Sequence, residues 1–112
     1  MAIFNAARLA GPLPLTTSDA QIITPVVAGQ TVVVKQLMFT NCSGSAVTLN
    51  VNLVPSGGSV LTGNKIVCDL SIGAYSNLIF AVDLPMVTNE FLTARASNAA
   101  AVNITVSGIV IT

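Results

Sequence analysis

The chain has 112 residues, of which 53% are hydrophobic and 7% charged; four Lys/Arg balance four Asp/Glu, and there is no histidine. About a quarter of an ordinary soluble domain is charged, so this chain lacks the ionic surface that usually keeps small proteins apart. No basic cluster is present to meet nucleic-acid phosphates. No apolar run nears the ~20 residues of a membrane-spanning helix, and four Phe with one Tyr are too few for the aromatic girdles of a membrane barrel.

One domain is expected at this length. Residues 1–18 read as an N-terminal arm preceding a domain over 19–112. Residues 1–10 fit either a short helix ended by Gly11-Pro12 or a simple extended arm. Pro12-Leu13-Pro14-Leu15 must be extended, because proline fixes its own φ and restricts the residue before it. The apolar Ile3, Phe4, Leu9, Leu13 and Leu15 on this arm need cover, either from the chain's own sheet or from a neighbour. These five are the candidate partner contacts. Arg8 inside the apolar stretch makes a secretory signal an unconvincing reading.

Beyond the arm the pattern is that of strands. Val47-Thr48-Leu49-Asn50-Val51-Asn52-Leu53 places an apolar residue at every odd position, the period of a half-buried strand. Val102-Asn103-Ile104-Thr105-Val106-Ser107 repeats it. There the apolar phase is expected to slip at Gly108 so that Ile109 and Ile111 take over, through a bulge. Less regular β segments lie at residues 20–24, 31–40, 65–72, 77–83 and 91–97. Between them Ala28-Gly29-Gln30, Asn41-Cys42-Ser43-Gly44, Pro55-Ser56-Gly57-Gly58, Gly63-Asn64 and Gly73-Ala74 supply turn residues. About seven short strands with this punctuation predict an all-β fold, a single antiparallel β-sandwich of immunoglobulin-like or jelly-roll-like form. The immunoglobulin Cys…Trp…Cys core is absent, since the chain has no Trp.

The residues for catalysis are scarce. Asp19, Asp69, Asp83 and Glu90 are scattered, and general acid–base chemistry needs titratable groups gathered in a pocket. A serine or cysteine nucleophile has no histidine base. Cys42 and Cys68 could form one disulfide, but Cys68 within Ile66-Val67-Cys68 reads better as a small core residue. Two cysteines without histidine make no ordinary closed zinc site. Gly57-Gly58 lacks the Lys-Ser/Thr of a phosphate loop and reads as a loop tip. Asn41-Cys42-Ser43 and Asn103-Ile104-Thr105 match the glycosylation sequon, the second in mid-strand. Tyr75 alone could serve as a sugar platform. No enzyme and no cofactor is expected.

The succession Thr24-Pro25-Val26-Val27-Ala28-Gly29-Gln30-Thr31-Val32-Val33-Val34-Lys35, then Thr40-Asn41-Cys42-Ser43-Gly44-Ser45-Ala46-Val47-Thr48-Leu49, then Val54-Pro55-Ser56-Gly57-Gly58-Ser59, resembles small β-sandwich virion structural proteins of tailed bacteriophages. Val106-Ser107-Gly108 in the last strand also fits, and the resemblance covers residues 20–112. Gly73-Ala74-Tyr75-Ser76-Asn77 departs from the Gly-rich acidic or Thr-rich turn of that pattern. The resemblance implies a virion part without enzymatic activity and does not choose between head and tail. The leading expectation is a capsid decoration (cement) protein on the outer surface of the virion, assembled in the host cytoplasm. Its implied partners are copies of itself, as in a trimer, and the major capsid protein or another virion protein, with neither nucleic acid nor membrane. A neck, collar or tail-fibre adaptor, a receptor- or glycan-binding adhesin domain, and a filament subunit that donates residues 1–18 as a strand are the alternatives. Pro12 and Pro14 count against strand donation.

Overall fold

A computed structural model of the chain describes residues 3–58 and 62–112. The first two residues of the expected arm and the last residue of the 54–59 loop lie outside the described residues. The elements are β1 (Phe4–Pro14), β2 (Ala20–Ile23), β3 (Thr31–Asn41), β4 (Val47–Val54), a 3-10 turn (Thr62–Asn64), β5 (Lys65–Ile72), β6 (Asn77–Met86), β7 (Phe91–Ala96) and β8 (Val102–Ile111). Each β segment read from alternation or turn spacing holds a strand. The eighth strand, β1, lies within the residues read as an arm.

Two four-stranded antiparallel sheets run in the orders β1-β8-β3-β6 and β2-β7-β4-β5. The pairs β1·β8, β2·β7, β3·β6 and β4·β5 are those of one long hairpin whose tip lies between β4 and β5. Rolling that hairpin up adds the pairs β3·β8 and β4·β7 and gives a jelly roll rather than an immunoglobulin sandwich. The core lies between the sheets. Leu37, Phe39, Leu49, Ile72, Met86, Leu92 and Ile104 are among its fully buried side chains. Phe39 and Phe80 meet edge to face at a centroid separation of 6.1 Å, the geometry that opposed ring quadrupoles favour.

The short-helix reading of residues 1–10 is not adopted. From Phe4 onward the segment lies along β8, with Phe4 opposite Ile111, Ala6 opposite Ile109 and Arg8 opposite Ser107. The edge of β8 offers it a ladder that local helix propensity cannot match, since an isolated helix of this length is marginal. The chain then crosses to the other sheet. Leu15 N donates to Val102 O at 2.8 Å, and Thr16 O accepts from Ala96 N at 2.9 Å.

The expected phase slip in β8 is also corrected. The strand keeps one phase throughout, with Gly108 buried and Val110 packed against the core, so Ile109 and Ile111 face outward. The extra residues are in its partners: Lys35 in β3 is inserted beside the Gly108–Ser107 step and Leu9 in β1 beside the next step, Ser107–Val106. A Cβ on Gly108 would lie 2.1 Å from Val33 O and 3.0 Å from Leu9 Cδ1. Glycine is used there because a neighbouring backbone comes too close for any side chain.

Cys68 is another correction: it is exposed and unpaired, as is Cys42. Leu49 faces Leu70 and Val51 faces Val67, so Cys68-Asp69 holds an extra residue. Asp69 takes a positive φ of 47°, and this bulge breaks the apolar run in which Cys68 sits.

One buried side chain ties the two sheets together. Asn41, 1% exposed, ends β3. Its Nδ2 donates to Ser45 O, Ile72 O and Gly73 O at 2.9, 3.2 and 3.0 Å. Its Oδ1 accepts from Ser43 N at 2.9 Å and Ser43 Oγ at 2.7 Å. The first glycosylation sequon is therefore spent on a buried turn.

Gly108→Ala is expected to lower the unfolding free energy by about 1–3 kcal/mol through overpacking. Gly63→Ala, whose Cβ would meet nothing within 4 Å, should change it by under about 0.5 kcal/mol. Asn41→Ala leaves several buried partners unsatisfied and should cost about 2–3 kcal/mol. Urea denaturation of the three variants checks these values.

Candidate interaction surface

The register determines which side chains share a face, because residues directly opposite in antiparallel strands point to the same side. On the outer face of the β1-β8-β3-β6 sheet the first row is Phe4, Ile111 and Thr31, and the second is Ala6, Ile109, Val33 and Pro85. Arg8, Ser107, Gln36 and Ala81 follow, then Thr105, Met38 and Ile79, and last Pro14, Asn103, Thr40 and Asn77. Phe4 is 67% and Ile79 58% exposed. Beside the third row Lys35 of the β3 bulge pairs with Asp83 of β6. This face is apolar at one end, carries its charges in the middle, and finishes in Asn and Thr.

The outer face of the β2-β7-β4-β5 sheet is different in kind. Asn50, Asn52 and Thr93 are buried there. Asn52 Nδ2 donates to Asp19 Oδ1 and to Thr93 Oγ1, both at 3.2 Å. Asn50 Nδ2 donates to Asp69 Oδ1 at 3.1 Å, and Asn50 Oδ1 accepts from Asp69 N at 3.0 Å. The Asn residues that alternate through β4 are thus tied to side chains of the same chain, while Asn52 Oδ1 is buried without a hydrogen-bond partner among the described residues.

A third feature lies where β5 and β6 form the open side of the sandwich. A cleft of about 480 Å³ is lined there by Leu37, Ile66, Val67, Leu70, Phe80 and Leu84, with Cys68 and Asp83 also on it. Ile66 is 41% exposed.

The four carboxylates stay apart, each with a partner of its own. Asp19 faces Asn52, Asp69 faces Asn50, Asp83 faces Lys35, and Glu90 Oε1 accepts from Val87 N at 2.8 Å. Among the described residues no three His, Cys, Asp or Glu side chains converge to hold a metal ion, and no helix is long and apolar enough to cross a membrane. Tyr75 is exposed in its turn and faces Gly44 across the neighbouring one.

The five predicted contact residues do not form one surface. Ile3 and Phe4 are exposed, while Leu15 is 2% exposed in the core and Leu9 and Leu13 are half-buried against it. Val33, Met38, Ile79, Ile109 and Ile111 join Phe4 on the outer face and were missed in the sequence. The signal for the last two was present: they continue the odd-numbered series Asn103, Thr105 and Ser107.

No protein-family model and no curated protein matches the chain. Its fold is similar to chains in solved structures of infectious bursal disease virus. The match to the Gx strain structure covers 100% of this chain and 32% of that one, at 11% identity and a TM-score of 0.58. The match to the T13 viral particle covers 98% and 31%, at 11% identity and 0.57. The match to the VP2 subviral particle covers 98% and 32%, at 13% identity and 0.50. The chain spans about a third of the length of these viral chains. What it shares with them is the fold, an all-β sandwich of two four-stranded sheets.

Proposed function

We propose that this chain is a non-enzymatic virion structural protein of the capsid decoration or cement type, which binds the outer surface of the shell. The observation that carries the reading is the outer face of the β1-β8-β3-β6 sheet. It presents Phe4, Ile109, Ile111 and Val33 on a chain with four positive and four negative residues in all. Burying such a face is favourable at about 25 cal/mol per Å² of apolar surface. Net neutrality leaves little long-range repulsion against close-set neighbours. The fold shared with chains of viral particles supports the same role. The partners are the shell protein and adjoining copies of this chain.

In this reading the exposed start of β1, Ile3 and Phe4, supplies the contact. Leu9, Leu13 and Leu15 hold the strand to its own sandwich so that those two residues are presented rigidly. A ligand that binds only the assembled shell stabilises it by mass action, in proportion to the logarithm of its concentration over Kd. No reacting group is needed.

A second reading is that the chain builds the shell itself. It is favoured by the match of the whole chain to part of a chain in the VP2 subviral particle. The two readings separate on one observation: a shell subunit forms closed particles from purified protein, whereas a decoration protein binds shells already made.

The test is cosedimentation of the purified chain with shells stripped of it. The parent chain should bind and raise the temperature at which the shells disassemble. Phe4→Asp should weaken binding by about 10- to 100-fold, the equivalent of losing one buried aromatic side chain, with an unchanged melting curve for the free chain. Binding unaltered by Phe4→Asp and by Ile111→Asp would overturn this reading.

A further inference from the structure

A sandwich with two open sheets has four edge strands, and each unpaired edge is a template for another chain unless something blocks it. β1 carries Pro12 and Pro14, which have no N–H to donate, and its register breaks twice. β2 has only four residues. β5 is interrupted twice and has Lys65 and Asp69, the latter at positive φ. β6 is different. Its second half holds Asp83 and Pro85, but its first half, Asn77-Leu78-Ile79-Phe80-Ala81-Val82, has no proline, glycine or charge. Exposed and half-buried residues alternate along it without a slip.

The backbone of that half is also aimed outward in a regular way. Ser76 O accepts from Asn41 N at 2.9 Å, so the polar groups of Ser76, Leu78 and Phe80 point to β3. In an antiparallel ladder the groups of the intervening residues point the other way. Asn77, Ile79 and Ala81 therefore present their N–H and C=O along the free edge.

We propose that a second copy of this chain pairs with this edge, β6 against β6, antiparallel about a two-fold axis at Ile79. In that register Ile79 lies opposite its own copy and Asn77 opposite Ala81, and each of these residues exchanges both backbone bonds with its partner. The two sheets become one continuous sheet, a self-complementary contact of the kind two-fold dimers use. The segment has no charge, so self-pairing sets no like charges opposite each other. The apolar cleft between β5 and β6 lies directly beside the edge. The second copy's inward-facing side chains extend over its mouth and cover Phe80 and Ile66. This pairing does not depend on the virion reading, since it uses β6 and not the Phe4 end of the sheet.

The test is the oligomeric state of the full chain by sedimentation across a concentration series. The parent should show a monomer–dimer equilibrium. Ile79→Lys, which sets two ammonium groups opposite each other at an exposed position, should weaken it at least tenfold. Phe4→Asp and Val27→Lys should leave it unchanged. Ile79→Cys in a Cys42→Ser, Cys68→Ser background should oxidise to a covalent dimer. Residues opposite each other in this kind of pair are ~5.5 Å apart at Cα, within disulfide reach. A parent that stays monomeric, a dimer that survives Ile79→Lys, or no cross-link through residue 79 would each overturn the proposal.

Discussion

The sheet that carries the exposed apolar face is registered at Gly108. Three strands pass through that point, and the carbonyl of Val33 comes so close that a Cβ would lie 2.1 Å from it. Both neighbours of β8 insert a residue close by, Lys35 beside the Gly108–Ser107 step on one side and Leu9 beside Ser107–Val106 on the other. The bulges let β1 and β3 twist around an unbroken β8. A slip of one residue would send every side chain of a strand to the opposite face. Because this point holds, Val102, Ile104 and Val106 enter the core while Ile109 and Ile111 stay outside.

The same register gives the molecule two unlike faces. Asn50 and Asn52 on β4 are buried beside Asp19, Asp69 of β5 and Thr93 of β7. The Asn50 amide and Asn52 Nδ2 are spent within the chain, and Asn52 Oδ1 alone is left without a hydrogen bond among the described residues. The opposite face holds Phe4, Ile109, Val33 and Ile79 at the surface. A chain with so few charges keeps its polar side chains partly for itself and leaves an apolar sheet outward. That is unfavourable for a lone molecule in water and favourable for one packed among neighbours.

Much of this could be read from alternation alone. The period-two pattern in residues 47–53 and 102–107 located β4 and the first part of β8, and the turn residues located the spaces between strands. Three features escaped it, each because a non-local contact decides it. β1 forms because β8 has a free edge that lies far away in sequence. The bulges beside Gly108 sit in its partners, and a glycine's own sequence context does not say which strand absorbs the extra residue. Cys68 turns outward because Asp69 adopts a left-handed conformation that an apolar run does not announce. The outer apolar face, the candidate contact surface, was half legible. Phe4 stood out as an apolar residue on a segment that needed cover, whereas Ile109 and Ile111 were assigned inward through a slip that the strand does not make.

For the proposed virion role, the orientation of the chain within an intact particle is the most direct measure of whether the apolar sheet is the packing surface. Imaging the particle by electron cryomicroscopy, at a resolution that separates strands, should show the β1-β8-β3-β6 sheet turned toward a neighbouring protein. Phe4, Ile109 and Ile111 should be covered, with the β2-β7-β4-β5 sheet, which holds the buried Asn50, Asn52 and Thr93, turned toward solvent. Density that places the Asn-rich face against the neighbour and leaves Phe4 and Ile111 bare would contradict it.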